Sequence, residues 1–354
     1  MRILITGGAG FVGSRLAQLF HSNYPKAEIV VFDNLKRRGS ELNLPQFKAN
    51  AIQFVHGDIR NPSDFDSLDG NFDLFIEASA EPSVLAGVNG SPSYVLQTNL
   101  AGTLNCLEFA RKQAKVFVFL STSRVYSIAP LREITLVEGK TRFEIGPSQS
   151  ILGASARGIS EGFPTNLARS LYGATKLASE LVIQEYASTY GLACIIDRCG
   201  VIAGAGQFGK VDQGVFTMWV ANHHFGKPLR YTGFGGHGKQ VRDLLHPADL
   251  YELICKQLDA IETHSGKVYN VGGGIDSSTS LLELTELCQK VSGYQVPIHQ
   301  DPTTHPVDIP LYVSDCSLVH RTFDWHPKRT VVDIVKEIHL WIQQNEAALR
   351  PLFC

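Results

Sequence analysis

Ile3-Leu-Ile-Thr-Gly-Gly-Ala-Gly-Phe-Val-Gly13 decides the architecture. An apolar run breaks into glycines spaced G-x-x-G-x-x-G, the pattern of a buried strand that turns sharply into a helix whose N-terminus can hold a pyrophosphate. The positions divide the work: Ile3 to Ile5 form the strand, Gly7 makes the tight turn, Gly10 lets the backbone approach a phosphate, and Gly13 permits close helix packing. Asp33 ends a second apolar run, residues 29–32, and lies twenty residues past Gly13, where a carboxylate can bond the adenosine ribose of NAD. Lys36, Arg37 and Arg38 follow it and could instead hold a 2'-phosphate, so the spacing favours NAD and leaves NADP open.

The 354 residues are enough to bury a large core in one large domain or two closely joined ones. Hydrophobic residues make up 44% and charged residues 19%, the balance of a globular protein, and a net charge of -2 points away from nucleic acid and acidic membranes as partners. The seven cysteines are scattered without metal-site spacing and read as reduced, mostly buried thiols, and no bound metal is expected. With a strand starting at residue 2 and no apolar run of spanning length, neither a signal peptide nor a membrane segment is expected, and the reading is cytoplasmic.

Apolar runs at residues 3–5, 29–32, 52–55, 74–76, 116–120 and 193–196 alternate with helical patterns, which predicts an α/β fold: a doubly wound parallel sheet of Rossmann type with helices on both faces. Residues 99–112 and 172–190 carry apolar positions at spacings of three and four and are expected to be helices, able to meet a partner subunit or to be buried within one. The rhythm fails over residues 127–170, read as a long loop or a set of short elements covering the site. Residues 1–200 are thus assigned to a dinucleotide-binding domain carrying this insertion, and 201–354 mainly to a smaller substrate lobe interleaved with it. Two further helices are expected at 281–291, behind a Ser/Thr cap cluster, and at 331–344.

Tyr172-Gly-Ala-Thr-Lys176 sets a phenol and an ammonium one helical turn apart on one face. There the cation can help stabilise a phenolate, and Tyr172 could take a proton from a sugar hydroxyl. Ser121-Thr-Ser-Arg-Val-Tyr126 follows an apolar strand, whose carboxyl end faces the ligand crevice in such sheets, so Thr122 is chosen as the catalytic hydroxyl and Ser123 as the reserve. Among the scattered histidines, His246 reads as a structural helix-entry residue ahead of Asp249.

Together with His56-Gly-Asp-Ile-Arg60 and Asn99-Leu-Ala-Gly-Thr103, these motifs resemble the extended short-chain dehydrogenase/reductase family of nucleotide-sugar epimerases and dehydratases. The resemblance covers nearly the whole chain. It implies a bound NAD held by Gly7, Gly10, Phe11, Val12, Gly13, Asp33 and Asn34, with Asp58 and Ile59 by the adenine. It also implies that Ala78 and Ala80 line the cofactor, that Asn99 supports the site, and that Tyr172 and Lys176 reach the nicotinamide end, Lys176 on its ribose. The strings Gly206-Gln-Phe-Gly-Lys-Val-Asp-Gln-Gly214 and Gly238-Lys-Gln-Val-Arg-Asp-Leu-Leu-His246, with Thr141-Arg-Phe143 and Gly158-Ile-Ser-Glu161, are similar to the CDP-tyvelose (CDP-paratose) 2-epimerase branch. Arg242 is a candidate fork for a substrate pyrophosphate, Gln207 and Gln213 could bond hydroxyls or the base, and Ser123 and Arg124 are placed with them at the substrate. Glu77, where many relatives have His, Arg124 between the hydroxyls and Val125, and Ser127 after the Val-Tyr pair depart from the family pattern.

The expected activity is NAD-dependent epimerisation of a nucleotide-diphosphate sugar, at C2 through a transient ketone, by a homodimeric enzyme that keeps its cofactor between turnovers. Dehydratases of the S-T-D-E-V-Y type use an Asp-Glu pair where this chain has Ser123 and Arg124, which disfavours dehydration. A 4-epimerase stays open, as does, from another class, a non-catalytic NAD-binding sensor.

Overall fold

A computed structural model describes residues 1–88, 90–209 and 214–353. Strands β1 (Arg2–Thr6), β2 (Glu28–Asp33), β3 (Gln53–His56), β4 (Phe72–Glu77), β5 (Ala114–Thr122), β6 (Ala193–Cys199) and β7 (Lys267–Val271) form one sheet in the order β7-β6-β5-β4-β1-β2-β3. Every adjacent pair is parallel. Parallel strands covered on both faces need apolar side chains pointing both ways, which is why the sequence runs are continuous rather than alternating. Ile3, Ile5, Ile29, Val31, Leu74 and Ile76 enter one core, while Leu4, Val30, Phe32 and Phe75 enter the other.

Helix α1 (Phe11–Asn23) covers the first face through Leu16, Ala17 and Phe20. Helices α2 (Gly102–Gln113) and α3 (Leu171–Tyr190) cover the second through Cys106, Leu107, Phe109 and Ile183. Burying each large apolar side chain contributes about 1.5–3 kcal/mol. The sheet order reverses between β1 and β4, where Thr6 pairs with Glu77, and this is the switch point at which such sheets open a crevice beyond their carboxyl ends.

Helices α4 (Val215–Phe225), α5 (Pro247–Asp259), α6 (Leu281–Ser292) and α7 (Val331–Gln344) belong to the C-terminal half. Trp219, Leu284, Ile334 and Ile338 share a separate core between α4, α6 and α7, whereas α5 packs beside α1 through Leu250, Leu253 and Ile254. The caps follow the sequence signals: Ser280 and Glu283 form a capping box on α6, and the His246 ring accepts from the Ala248 amide to cap α5. The chain returns to the main sheet at β7, so this half is threaded through the first rather than appended to it.

One expectation needs refinement, and one open choice is decided. The helix expected over residues 99–112 starts earlier, at Ser93–Leu96, and passes through a π turn at Gln97–Ala101 before α2 begins. Residues 127–170 form short elements rather than one loop: a helix at Ile128–Glu133, a hairpin of Leu136–Glu138 with Phe143–Ile145, and a two-residue ribbon of Ala154–Ser155 with Gly158–Ile159. This segment is tied to the C-terminal half, with Arg142 bonding Ser278 at 2.6 Å and Thr141 bonding Glu283 at 2.8 Å.

Candidate active site

The glycine turn abuts the switch point. Gly7 has a left-handed φ of +62°. A Cβ on Gly13 would stand 2.4 Å from the Gly7 carbonyl oxygen, so α1 can lie this close to the turn only with glycine there. Gly10 occupies the N-cap of α1, whose first turn, including Phe11 and Val12, carries no acidic residue to compete with an anion. Asp33 ends β2 with its carboxylate accepting from the Ala9 amide at 3.1 Å and the Leu35 amide at 2.7 Å, which fastens it beside the turn. Burial raises its pKa above the usual carboxylate range.

Further along the crevice, Asn34 donates to Asp58 at 2.9 Å, and Arg60 grips the same carboxylate, holding it down at about 2. The Arg60 guanidinium also lies over the Tyr94 ring, 4.9 Å from its centroid, and the Lys36 ammonium lies 5.3 Å from the same centroid. Ile59 is buried against Gly102 at the start of α2. Arg37 and Arg38 donate to the Phe208 and Pro351 carbonyls at 2.5 and 2.9 Å, which ties them to the C-terminal half. Ala78 donates to Thr6 across the switch point, and Ala80 precedes Glu81. Asn99, inside the π turn, locks Glu81 by exchanging bonds of 2.7 and 3.0 Å with its backbone. A π turn of this kind commonly marks a functional site.

Past the nucleotide end, Ser170 caps α3 by accepting from Gly173 at 3.2 Å. A Cβ on Gly173 would lie 2.0 Å from the Arg124 carbonyl oxygen, so only glycine lets the first turn of α3 dock on the turn after β5. That docking brings Tyr172 to Thr122. Thr122 accepts from the Arg124 amide at 3.2 Å, and its hydroxyl is the group that pulls the Tyr172 phenol down most. Burial pushes the Tyr172 phenol up to about 12, against the pull of Thr122 and of the Arg124 charge. The Arg124 charge acts on Tyr172, and Glu77, Glu180 and two thiols act on Lys176. Lys176 is 2% exposed, its Nζ 4.0 Å from the Phe119 ring centroid, and burial lowers its pKa.

Arg124 and Arg242 share one neighbourhood. The Arg242 guanidinium donates to the Val241 and Ile309 carbonyls at 2.7 and 2.8 Å, and Arg124 reaches the Val307 carbonyl at 3.5 Å. Burial and the Arg124 charge hold Arg242 down at about 9, and Asp308 is the carboxylate that acts on both arginines. Asp243 acts on Arg242 as well, so the two guanidiniums stand against two carboxylates. Ser123 lies at the same turn, almost buried.

Gln207 requires a correction. Its amide accepts from Thr217 at 2.8 Å and donates to the Ile202 carbonyl at 3.2 Å, so it braces the glycine-rich turn from inside instead of facing a ligand. Gln213 lies outside the described residues.

One network escapes a reading of the sequence. Glu180, one turn beyond Lys176 on α3, accepts from Arg198 of β6 through both oxygens, at 2.7 to 3.1 Å, and from Ser121. Arg198 also donates to the Tyr126 hydroxyl at 3.3 Å, and Tyr126 donates to Asn270 of β7 at 2.7 Å. The chain of bonds ties the catalytic helix to three strands. Its signal is Glu180 at the i+4 position from Lys176, together with an arginine inside an apolar strand.

A glycine cradle at a helix N-terminus, a carboxylate at the end of β2 and a Tyr-Lys helix beside a strand-end threonine define a dinucleotide enzyme that handles alcohol protons. The profile of the NAD dependent epimerase/dehydratase family matches residues 3–272, and the chain belongs to that family. It is 30% identical to a CDP-paratose 2-epimerase of Salmonella typhi over 352 residues, covering 96% of this chain and 99% of that one. It is 28% identical to a UDP-glucose 4-epimerase of Bacillus subtilis, covering 98% of each chain. A dTDP-glucose 4,6-dehydratase double mutant from Streptomyces venezuelae, solved with NAD, superimposes with a TM-score of 0.79 at 27% identity, covering 99% of this chain and 100% of that one. The protein is an NAD-dependent enzyme, and the Gly7 to Gly13 cradle with Asp33 fits that cofactor. Among the described residues no helix is long and apolar enough to cross a membrane.

Proposed function

We propose that the protein epimerises a nucleotide-diphosphate sugar at C2, with a CDP-linked deoxyhexose of the paratose/tyvelose type as substrate. The observation that carries this reading is the docking of Tyr172, in the first turn of α3, beside Thr122 at the end of β5, with Ser123 and Arg124 following that threonine. The proton relay for oxidising an alcohol is present, while the acid/base pair that dehydration needs is replaced by a hydroxyl and a cation. NAD, when bound, accepts and returns the hydride. Tyr172, aided by Thr122, takes the proton of the sugar hydroxyl and gives it back after the flat ketone has turned its other face. Arg242, with Arg124 beside it, holds the diphosphate while the sugar turns. Lys176 keeps the ribose end in register, and residues 127–170 limit water.

The choice of CDP and of C2 is supported by the likeness to the Salmonella protein over almost the full length. A 4-epimerase is the second reading, supported by the Bacillus relative. A catalytically silent NAD sensor would not need the Thr122–Tyr172 pair. The test is incubation of the purified protein with CDP-, UDP-, GDP- and dTDP-sugars, followed by NMR of the product. Inversion at C2 of a CDP-sugar is the expected outcome. Inversion at C4 installs the second reading, loss of water overturns both, and inertness toward every sugar revives the sensor.

The assembly proposed is a homodimer built on the outer faces of α2 and α3, where Leu104, Leu181 and Tyr190 are exposed. Light scattering should give twice the chain mass, and a monomer at micromolar concentration would refute it. The cytoplasm is the proposed compartment, a setting that suits the six described cysteines, all free.

A further inference from the structure

At the carboxyl end of β4, against the switch point, Glu77 is wholly buried. One carboxylate oxygen accepts from the Thr103 hydroxyl of α2 at 2.7 Å, while the other is buried without a hydrogen-bond partner. Lys176 is almost as deeply buried, and among the described residues its ammonium makes no hydrogen bond, only the approach to the Phe119 ring. Glu77 pairs with Phe119 in the β4–β5 register, and the Lys176 ammonium covers that same ring, so a buried carboxylate with one unsatisfied oxygen and a buried lysine share one neighbourhood, a costly arrangement unless their charges serve each other or a third charge.

Among the described residues, the remaining neighbours leave no other counter-charge. Glu180 is engaged by Arg198 and Ser121. Cys106 of α2 and Cys199 of β6, the thiols coupled to Lys176, are pushed well above the ordinary thiol range by burial and stay neutral. Besides Lys176, the groups acting on Glu77 are Thr103 and, through Cys106, Thr6 of β1.

We infer that Glu77 is a positioning residue that compensates Lys176 electrostatically, so that the site accepts the positively charged, oxidised nicotinamide in preference to the neutral, reduced one. The inference rests on the reading that Lys176 meets the nicotinamide ribose. Without a carboxylate beneath it, a buried ammonium there repels a second positive charge. With Glu77 ionised the local sum falls by one, and the oxidised cofactor regains what repulsion would remove. Burial raises Glu77 to about 7, while Lys176 and Thr103 pull it down. The sign follows: as pH rises from 6 to 8 Glu77 loses its proton, and affinity for NAD+ must increase relative to NADH. By reciprocity, exchanging NADH for NAD+ must release a proton near pH 7. For an epimerase that begins each turnover oxidised, this bias keeps the resident cofactor in the starting state.

The experiment needs no sugar. The full chain is equilibrated with NAD+/NADH mixtures of fixed ratio at pH 6, 7 and 8, and bound NADH is read by its fluorescence. For the wild type, preference for NAD+ should grow by about tenfold across this range, as expected for one proton coupled to one nearby charge. In Glu77→Gln, which keeps an acceptor for Thr103, the preference should drop about tenfold at pH 8 and lose its pH dependence. A flat wild-type profile overturns the inference even if the variant fails to fold, and so does an unchanged profile in a folded variant. A Glu77-dependent preference in a protein inert toward every nucleotide sugar would sink the proposed reaction and leave this inference standing.

Discussion

Tyr172→Phe is expected to lower turnover by at least about a thousandfold while leaving bound NAD and thermal stability almost unchanged, since losing a positioned general base forfeits factors of this order. Phenylalanine keeps the ring and removes only the hydroxyl on which Thr122 and the Arg124 charge act. The pH dependence provides an independent check. Burial puts the phenol at about 12, so at neutral pH its basic form is scarce. The active fraction of a base grows as pH rises toward its pKa, and wild-type turnover should therefore climb on the alkaline side of neutrality. Residual activity within tenfold of wild type, measured by product NMR, would remove Tyr172 from the mechanism, and the proposed chemistry with it.

Arg198→Met should be the most damaging substitution away from the ligand crevice. Glu180 and Arg198 have side chains only 2% and 9% exposed, and the Arg198 pKa is held above its ordinary range by that carboxylate. Removing the guanidinium leaves a buried negative charge whose only remaining partner of the network is the Ser121 hydroxyl, which costs about 3–5 kcal/mol. That corresponds to a melting temperature lower by roughly 4–7 °C. Because Glu180 lies two turns from Tyr172 on α3, turnover should fall as well. Adding Glu180→Gln to Arg198→Met should recover a large part of the stability, because the stranded charge is then gone. If the double variant is as unstable as the sum of the two single ones, the pair is not coupled, and its part in fastening α3 must be abandoned.

These effects divide along the line between local and long-range information. The glycine turn, the Ser280 cap and the Tyr172 to Lys176 helical spacing are legible because each is settled by residues within a turn or two of one another. Apolar runs likewise announce a sheet covered on both faces. Pairings between distant elements are not written that way. Glu180 and Arg198 are eighteen residues apart on a helix and a strand, and Tyr126 meets Asn270 across 144 positions. Gln207 is a candidate ligand contact in sequence because it stands in the string that resembles the 2-epimerase branch and its amide could bond hydroxyls or the base. Thr217, ten residues on, turns it inward. Helical periodicity alone assigns Lys176 to the Tyr172 phenol. It does not reveal that the β4–β5 register sets the buried Glu77 beside Phe119, the ring that the same ammonium covers.

The return of the chain to β7 has a consequence for how the molecule can be taken apart. A fragment ending at Cys199 would lose the strand that pairs with β6, leaving the amides and carbonyls of Ile195 to Cys199 open along a bare apolar border. Such a border invites pairing with other chains. The nucleotide-holding half is therefore not a severable module, and shuffling substrate preferences between relatives means exchanging loops within an intact chain, not swapping halves at a joint.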